Sequence, residues 1–259
     1  MTGGMTNILM IIILALYTVS VLFLFFYSIS QAYLVIKYIS TRRKIYRDVP
    51  GLPDSNLPSI TIQLPLYNEI FVAERIIDAA INLDYPAHKK QIQILDDSDD
   101  ETTSITERKI APYKKSGINI QHIRRRQRTG FKAGALRHAL TLATGEYIAI
   151  FDADFIPPKD FLQKALPHFS DKNTGMVQTR WEHINRNQSL LTELQAFGLD
   201  AHFRVEQTGR NEANCFMNFN GTGGVWRKEC IMDAGNWDAD TLTEDLDLSY
   251  RAQLKGWKF

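Results

Sequence analysis

Apolar and polar positions follow two regimes along this chain. Residues 8–36 carry no charged side chain, and the apolar run 8–27 alone reaches the roughly 20 residues that cross a bilayer. One transmembrane helix is predicted there. Beyond it the apolar runs shorten and begin to alternate in period. Strands are predicted over 59–66, 91–95, 118–123, 147–151 and 176–181. Helices are predicted over 69–82, 101–115, 131–143, 189–207 and 244–255, and a further one opened by Pro158. The first of these places Ile70, Ala73, Ile76, Ile77 and Ala80 at helical spacing, and Gly145 is expected to cap the helix over 131–143. Residues 216–226 are Gly-rich and read as irregular. Strands alternating with helices at this spacing predict an α/β domain, a mostly parallel sheet with helices on both faces.

The chain divides accordingly: 1–47 as membrane helix and basic juxtamembrane segment, 48–58 as a proline-rich linker, and 59–259 as one α/β domain. A secretory signal would need a basic start, and the first charge here is Lys37. Lys37, Arg42, Arg43, Lys44 and Arg47 precede the first acid, Asp48, so the domain is expected on the cytosolic side of a plasma- or Golgi-type membrane. Tyr33 and Tyr38 suit the interfacial belt. After Arg47, 25 basic residues stand against 29 acidic ones, which disfavours nucleic acid as a partner. Cys215 and Cys230 form no disulfide or metal framework.

The candidate chemistry lies in three acidic clusters. Asp96-Asp97-Ser98 follows the strand at 91–95, and Asp152-Ala153-Asp154 follows the strand at 147–151. Carboxylates past the end of a parallel strand sit in the crevice where open α/β sheets bind ligands. At a strand end, residues two apart point the same way, so Asp152 and Asp154 converge on one point. That suits a hard cation, Mg2+ or Mn2+, carrying phosphates. Asp96 and Asp97 can accept from a base or a ribose hydroxyl, while Ser98 or Asp99 could instead cap the next helix.

Lys132 is the basic counterpart, in the first turn of a helix whose amides and dipole favour an anion. Gly130 and Gly134 beside it permit close backbone approach. A diphosphate contact is the expectation. Thr243-Glu244-Asp245 opens the last helix. Those acids suit a helix start, with Thr243 as cap, and equally suit a general base for an acceptor hydroxyl.

Taken in order, Leu64-Pro-Leu-Tyr-Asn-Glu69, Leu95-Asp-Asp-Ser-Asp-Asp100, Thr129-Gly-Phe-Lys-Ala-Gly-Ala135, Phe151-Asp-Ala-Asp-Phe155, Val177-Gln-Thr-Arg-Trp181, Phe219-Asn-Gly-Thr-Gly-Gly-Val-Trp-Arg227 and Thr243-Glu-Asp-Leu-Asp247 resemble the family 2 processive glycosyltransferases. The cellulose-synthase-like group that makes β-mannan, glucomannan or β-glucan backbones is the nearest likeness. The resemblance implies a glycosyltransferase-A fold and inverting transfer from a UDP- or GDP-linked sugar to a growing glycan. It places Asp96 and Asp97 at the nucleoside, Lys132 at the diphosphate, and Asp152 and Asp154 at the metal and diphosphate. It makes Asp245 the base, with Glu244 beside it. Gln178 and Trp181 fall along the donor and acceptor path, and Asn220, Gly221 and Thr222 at the acceptor end. Arg227 is expected to be structural.

The family's Gln-x-x-Arg-Trp motif does not follow the Thr-Glu-Asp helix, so a fragment of a longer enzyme is expected. Two other readings are a transferase with a lipid acceptor and a catalytically silent, membrane-anchored binding subunit. A dinucleotide-binding dehydrogenase is disfavoured, because no Gly-x-Gly-x-x-Gly follows the first strand.

Overall fold

The computed structural model describes residues 2–45, 51, 53 and 57–259. Most of the expected linker over 48–58, and Arg47, lie outside the described residues. Two compact bodies emerge: Met1–Arg47 with Glu182–Cys215, and Asp48–Trp181 with Phe216–Phe259. The segment Glu182–Cys215, read from sequence as part of the α/β domain, groups with the N-terminal helix.

In the first body, helix α1 (Thr2–Ile45) is continuous, and its stretch Asn7–Thr41 is long and apolar enough to cross a membrane. Its apolar side chains from Ile8 to Tyr27 stand exposed, as an all-round hydrophobic helix outside a core must.

The second body is built on six strands and the helices between them. In chain order these are β1 (Ile60–Leu66), α2 (Ala73–Ile81), β2 (Lys90–Asp96), α3 (Thr102–Lys115), β3 (Ile120–Ile123), α4 (Phe131–Leu140), β4 (Tyr147–Ile150), α5 (Phe161–Ala165) and β5 (Met176–Gln178). Chain order then returns to the first body for α6 (Leu190–Asp200), a π-helix (Ala201–Gln207) and α7 (Thr208–Glu212). There the predicted long helix exists, but its middle is wound as a π-helix. Gly209 packs so closely that a Cβ on it would come within 2.6 Å of the Leu34 carbonyl. Strand β6 (Gly224–Arg227), α8 (Lys228–Asp233) and α9 (Glu244–Leu254) complete the second body.

The sheet order is β3-β2-β1-β4-β6-β5. β1 pairs in parallel with β2 and β4, and β2 with β3, whereas β6 runs antiparallel to both β4 and β5. The sheet is therefore parallel at one half and antiparallel at the other. Strand alternation divides the core between two faces. Ile60, Ile62 and Leu64 of β1 pack with Ile76 and Ile77 of α2 on one face. Ile148 and Ile150 of β4 pack with Leu136 and Leu140 of α4, Trp226 and Leu248 on the other.

Several boundaries move from the sequence reading. β6 and α8 lie where an irregular segment was expected or where nothing was assigned. Gly224 belongs to a strand because the Phe219 ring fills its missing side-chain space, 2.6 Å from where a Cβ would lie. Gly145 is no helix cap: α4 ends at Leu140 with Thr141 as its C-cap, and a Cβ on Gly145 would stand 2.3 Å from the Thr61 amide. α2 starts at Ala73 because Asn68 turns left-handed (φ 58°) and residues 69–72 form a turn first. Pro158 opens a turn, closed by the Phe161 amide on its carbonyl at 3.0 Å, and the helix proper begins at Phe161.

Candidate active site

The carboxyl ends of β1, β2 and β4 border a cleft of about 440 Å³, lined among others by Tyr67, Glu69, Asp97, Arg128, Lys132, Asp152 and Asp154. This is the strand edge at which open α/β sheets bind ligands.

Asp152 and Asp154 leave β4 in a tight turn, closed by the Phe155 amide on the Asp152 carbonyl at 3.0 Å. The pair is thus displayed by a turn rather than by extended strand, yet both residues border the cleft. Lys132 Nζ donates to Asp152 Oδ1 at 2.5 Å and to the Gly221 carbonyl at 3.0 Å. Burial raises the Asp152 pKa, and the Asp154 and Asp245 charges add to this, against the pull of Lys132. Glu69 is likewise raised, first by burial and then by Asp154, Asp152 and Asp100. Five carboxylates, Glu69, Asp100, Asp152, Asp154 and Asp245, thus act on one another at one end of the sheet with Lys132 among them.

Lys132 sits in the first turn of α4, as expected. Gly130 (φ 72°) and Phe131 (φ 47°) both turn left-handed to start that helix. Gly134 has to be glycine: a Cβ there would meet the Thr129 carbonyl at 2.1 Å and Arg125 Nη1 at 2.6 Å. Through that gap Arg125 donates to the carbonyls of Thr129 (2.8 Å) and Phe131 (2.9 Å), while its other edge grips both oxygens of Asp97. The Asp97–Arg125 pair ties the end of β2 to the loop that presents Lys132.

Asp96 and Asp97 part company, because neighbouring strand residues point to opposite sides. Asp97 borders the cleft. Asp96 is fully buried behind it and accepts from His122 Nε2 at 2.8 Å and from the Ser98 amide at 3.0 Å. Burial alone would raise its pKa, but those hydrogen bonds outweigh it and hold the carboxyl at about 2. Neither Ser98 nor Asp99 caps α3. Ser98 Oγ accepts from the Asn68 amide at 2.9 Å, and Asp100 Oδ1 takes the Thr102 amide at 2.9 Å.

Residues 220–223 form the loop beside the cleft. Gln178 holds it: Oε1 accepts from the Asn220 amide at 3.0 Å, and Nε2 donates to the Thr222 carbonyl at 3.0 Å. The Gln178 side chain is thus spent on this backbone. Thr222 Oγ1 accepts from the Asp152 amide at 2.9 Å. A Cβ on Gly221 would lie 3.4 Å from Asp245 Oδ2 and 3.5 Å from Lys132 Nζ. Asp245 and Glu244 occupy the first turn of α9, where Asp245 Oδ1 takes the Leu246 amide at 2.8 Å and Thr243 makes no side-chain cap. Trp181 meets Phe155 edge-to-face at 6.5 Å, and Phe155 backs Gly223. Arg227 lies elsewhere, bonded to the carbonyls of Thr174 and Phe169 and stacked near Tyr147, as a structural arginine would be.

The sequence reading did not single out Glu69, Tyr67 or Arg128. Arg128 stacks on the Tyr67 ring, 3.3 Å from its centroid. The available signal was position: Tyr67 and Glu69 follow the end of β1 as the acidic clusters follow β2 and β4.

The profile described as Glycosyl transferase family 2 matches residues 61–228. The chain belongs to this family. The family 2 chain is 42% identical over 217 residues to glucomannan 4-beta-mannosyltransferase 2 of Arabidopsis thaliana, covering 82% of this chain and 41% of that protein. It therefore spans about two fifths of that relative's length. Among solved structures it resembles the mannosyltransferase PcManGT from Pyrobaculum calidifontis in complex with GDP-Man and Mn2+ (TM-score 0.67, 24% identity, 88% of this chain and 61% of that one). It also resembles S. aureus TarS 1-349 (TM-score 0.56, 15% identity, 76% of this chain and 55% of that one). At such identities the likeness speaks to fold alone, and the fold is glycosyltransferase-A.

Proposed function

We propose that this family 2 domain transfers a hexosyl group, with inversion, from a nucleotide diphosphate sugar to the end of a growing β-linked glycan. The observation that carries the reading is the convergence of Lys132, Asp152 and Asp245 on Gly221, at the mouth of the cleft below β4. It puts a diphosphate-binding cation and a carboxylate with one oxygen turned to the gap beside one residue. The mannosyl transfer named for the Arabidopsis relative, with the GDP-Man bound in PcManGT, makes GDP-mannose the donor to test first.

In this reading Asp97, Tyr67, Arg128 and Glu69 surround the nucleoside half of the cleft, with Asp96 holding the strand end behind them. Lys132 pairs with the diphosphate as its charge grows. Asp245 takes the proton from the acceptor hydroxyl while that oxygen bonds to the anomeric carbon opposite the departing diphosphate. No protein nucleophile is required. Gln178 and the 220–223 loop frame the acceptor end, and Trp181 with Phe155 supplies an aromatic wall there.

The residues fit a divalent metal. Asp152 and Asp154 are hard oxygen donors at one cleft edge; burial raises the Asp152 pKa and the Asp154 charge adds to it. Among the described residues no group of three metal-ligating side chains is assembled, so Asp152 and Asp154 are the side chains that would hold the ion. A bound Mg2+ or Mn2+ would neutralise charge on the leaving diphosphate. Helix α1 is proposed to cross the membrane, with the basic segment after it holding the catalytic body on the cytosolic side.

Calorimetric titration of the detergent-solubilised chain with GDP-mannose and UDP-glucose, in Mn2+ and then in EDTA, tests this. Saturable binding of one donor that EDTA abolishes is the expected result, followed by labelled sugar appearing in insoluble polymer. Label extracted into organic solvent would instead favour a lipid acceptor. Absence of binding by either donor would sink the reading.

A further inference from the structure

Gln178 ends the edge strand β5, and its side chain does not line the cleft. Its amide reaches across to the neighbouring loop. Oε1 accepts from the Asn220 amide, while Nε2 donates to the carbonyls of Thr222 and, at 3.3 Å, Gly223. One side chain thus engages both ends of a four-residue loop whose Gly221 and Gly223 are left-handed (φ 75° and 64°). That loop makes two contacts of its own toward the cleft: Thr222 Oγ1 holds the Asp152 amide, and the Gly221 carbonyl holds Lys132 Nζ. A Cβ on Gly221 would lie 3.4 Å from Asp245 Oδ2.

We infer that Gln178 is a positioning residue: by clamping residues 220–223 it sets the separation between Asp245 and the Lys132–Asp152 pair. This rests on the proposed transfer reaction for its consequence, but not for its geometry. Lys132 and Asp152 are also fixed by α4, by β4 and by each other, so they keep their places when the clamp is lost. The Asp245 side of the gap is tied to the start of the loop through Ser249, whose Oγ accepts from the Phe219 amide at 2.9 Å and donates to the Asp245 carbonyl at 2.6 Å. A glutamine is required because the clamp needs a donor edge and an acceptor edge on one planar group. Gln178→Glu keeps the size and the bond from the Asn220 amide, but turns an oxygen toward the carbonyl oxygens of Thr179, Thr222 and Gly223.

The test compares wild type, Gln178→Glu and Gln178→Leu in the detergent-solubilised full chain. Three quantities are read: hydrogen exchange in peptides covering residues 150–155 and 216–223, the Kd for GDP with Mn2+, and the initial rate of sugar transfer. Loss of the clamp is expected to speed exchange in both peptides about tenfold. The GDP Kd should stay within about threefold, and transfer should fall tenfold or more. A purely structural role would lower the thermal midpoint, donor binding and transfer together. That outcome, unfolding of both variants, or unchanged exchange would overturn the proposal. Should wild type itself bind no GDP, the proposed function fails, and the exchange comparison still decides whether Gln178 holds the loop.

Discussion

Gly221 leaves open a space bordered by the carboxylate of Asp245 and the ammonium of Lys132, 3.4 and 3.5 Å from where its Cβ would lie. Its φ of 75° is one that side chains resist, by about 1 kcal/mol for alanine. Gly221→Ala is therefore expected to cost about 1–2 kcal/mol in a urea melt, because the added carbon meets its neighbours at ordinary contact distance. Its effect on transfer should be far larger, since in the proposed mechanism it fills the gap where hydroxyl and anomeric carbon meet. A transfer rate that falls only in proportion to the folded fraction would show that the reacting atoms meet elsewhere.

Asp245 accepts its own helix's Leu246 amide on one oxygen and leaves Oδ2 toward the gap. Asp245→Asn keeps the helix-capping oxygen and removes the capacity to take a proton. GDP binding should be preserved while transfer falls by roughly 10²–10⁴. Loss of donor binding and transfer together would mean that the residue serves the helix start rather than the chemistry.

Asp152 carries a conflict between stability and function. Its raised pKa means that the folded chain holds the proton more tightly than the unfolded chain does. The group therefore favours folding at acid pH, and that contribution is lost as pH rises through its folded pKa. At pH 7 the ionised form is a net cost, softened because 35% of the side chain remains in solvent. Asp152→Asn should raise the thermal midpoint in EDTA at pH 7 and lose that advantage below about pH 4. It should also abolish Mn2+-dependent donor binding. A midpoint difference independent of pH would remove the electrostatic explanation.

Much of this site was legible because its chemistry is local. The runs before Asp96 and Asp152 announce strands, and the acids after them announce the ligand-binding edge. The hidden parts depend on contacts distant in sequence. Nothing near Gly224 says that the Phe219 ring occupies its side-chain space, so a strand reads as a glycine-rich loop. Asp96 and Asp97 looked like a pair, although alternation alone separates them. His122, which claims Asp96, sits on the neighbouring strand, where Ile94 is its register partner. Gln178 reads as a path-lining residue until its bonds to residues 220–223 are seen.

The Asp96–His122 pair sets the last prediction. Asp96 has no exposed surface, and its pKa of about 2 lies below the usual carboxylate range near 4. A depressed carboxyl stabilises the fold at pH above its unfolded value, and that contribution drains away as pH falls from about 5 toward 2. The shift corresponds to roughly 2 kcal/mol at neutral pH. His122→Ala removes the ring donor and leaves the buried carboxylate on Ser98, with Arg124 Nε 3.8 Å away. It should cost about 1–3 kcal/mol at pH 7, and the variant should unfold at higher pH than wild type on acidification. Urea midpoints between pH 2 and 7 for both proteins measure this. A constant gap across that range would place the contribution of His122 in packing and not in the charge of Asp96.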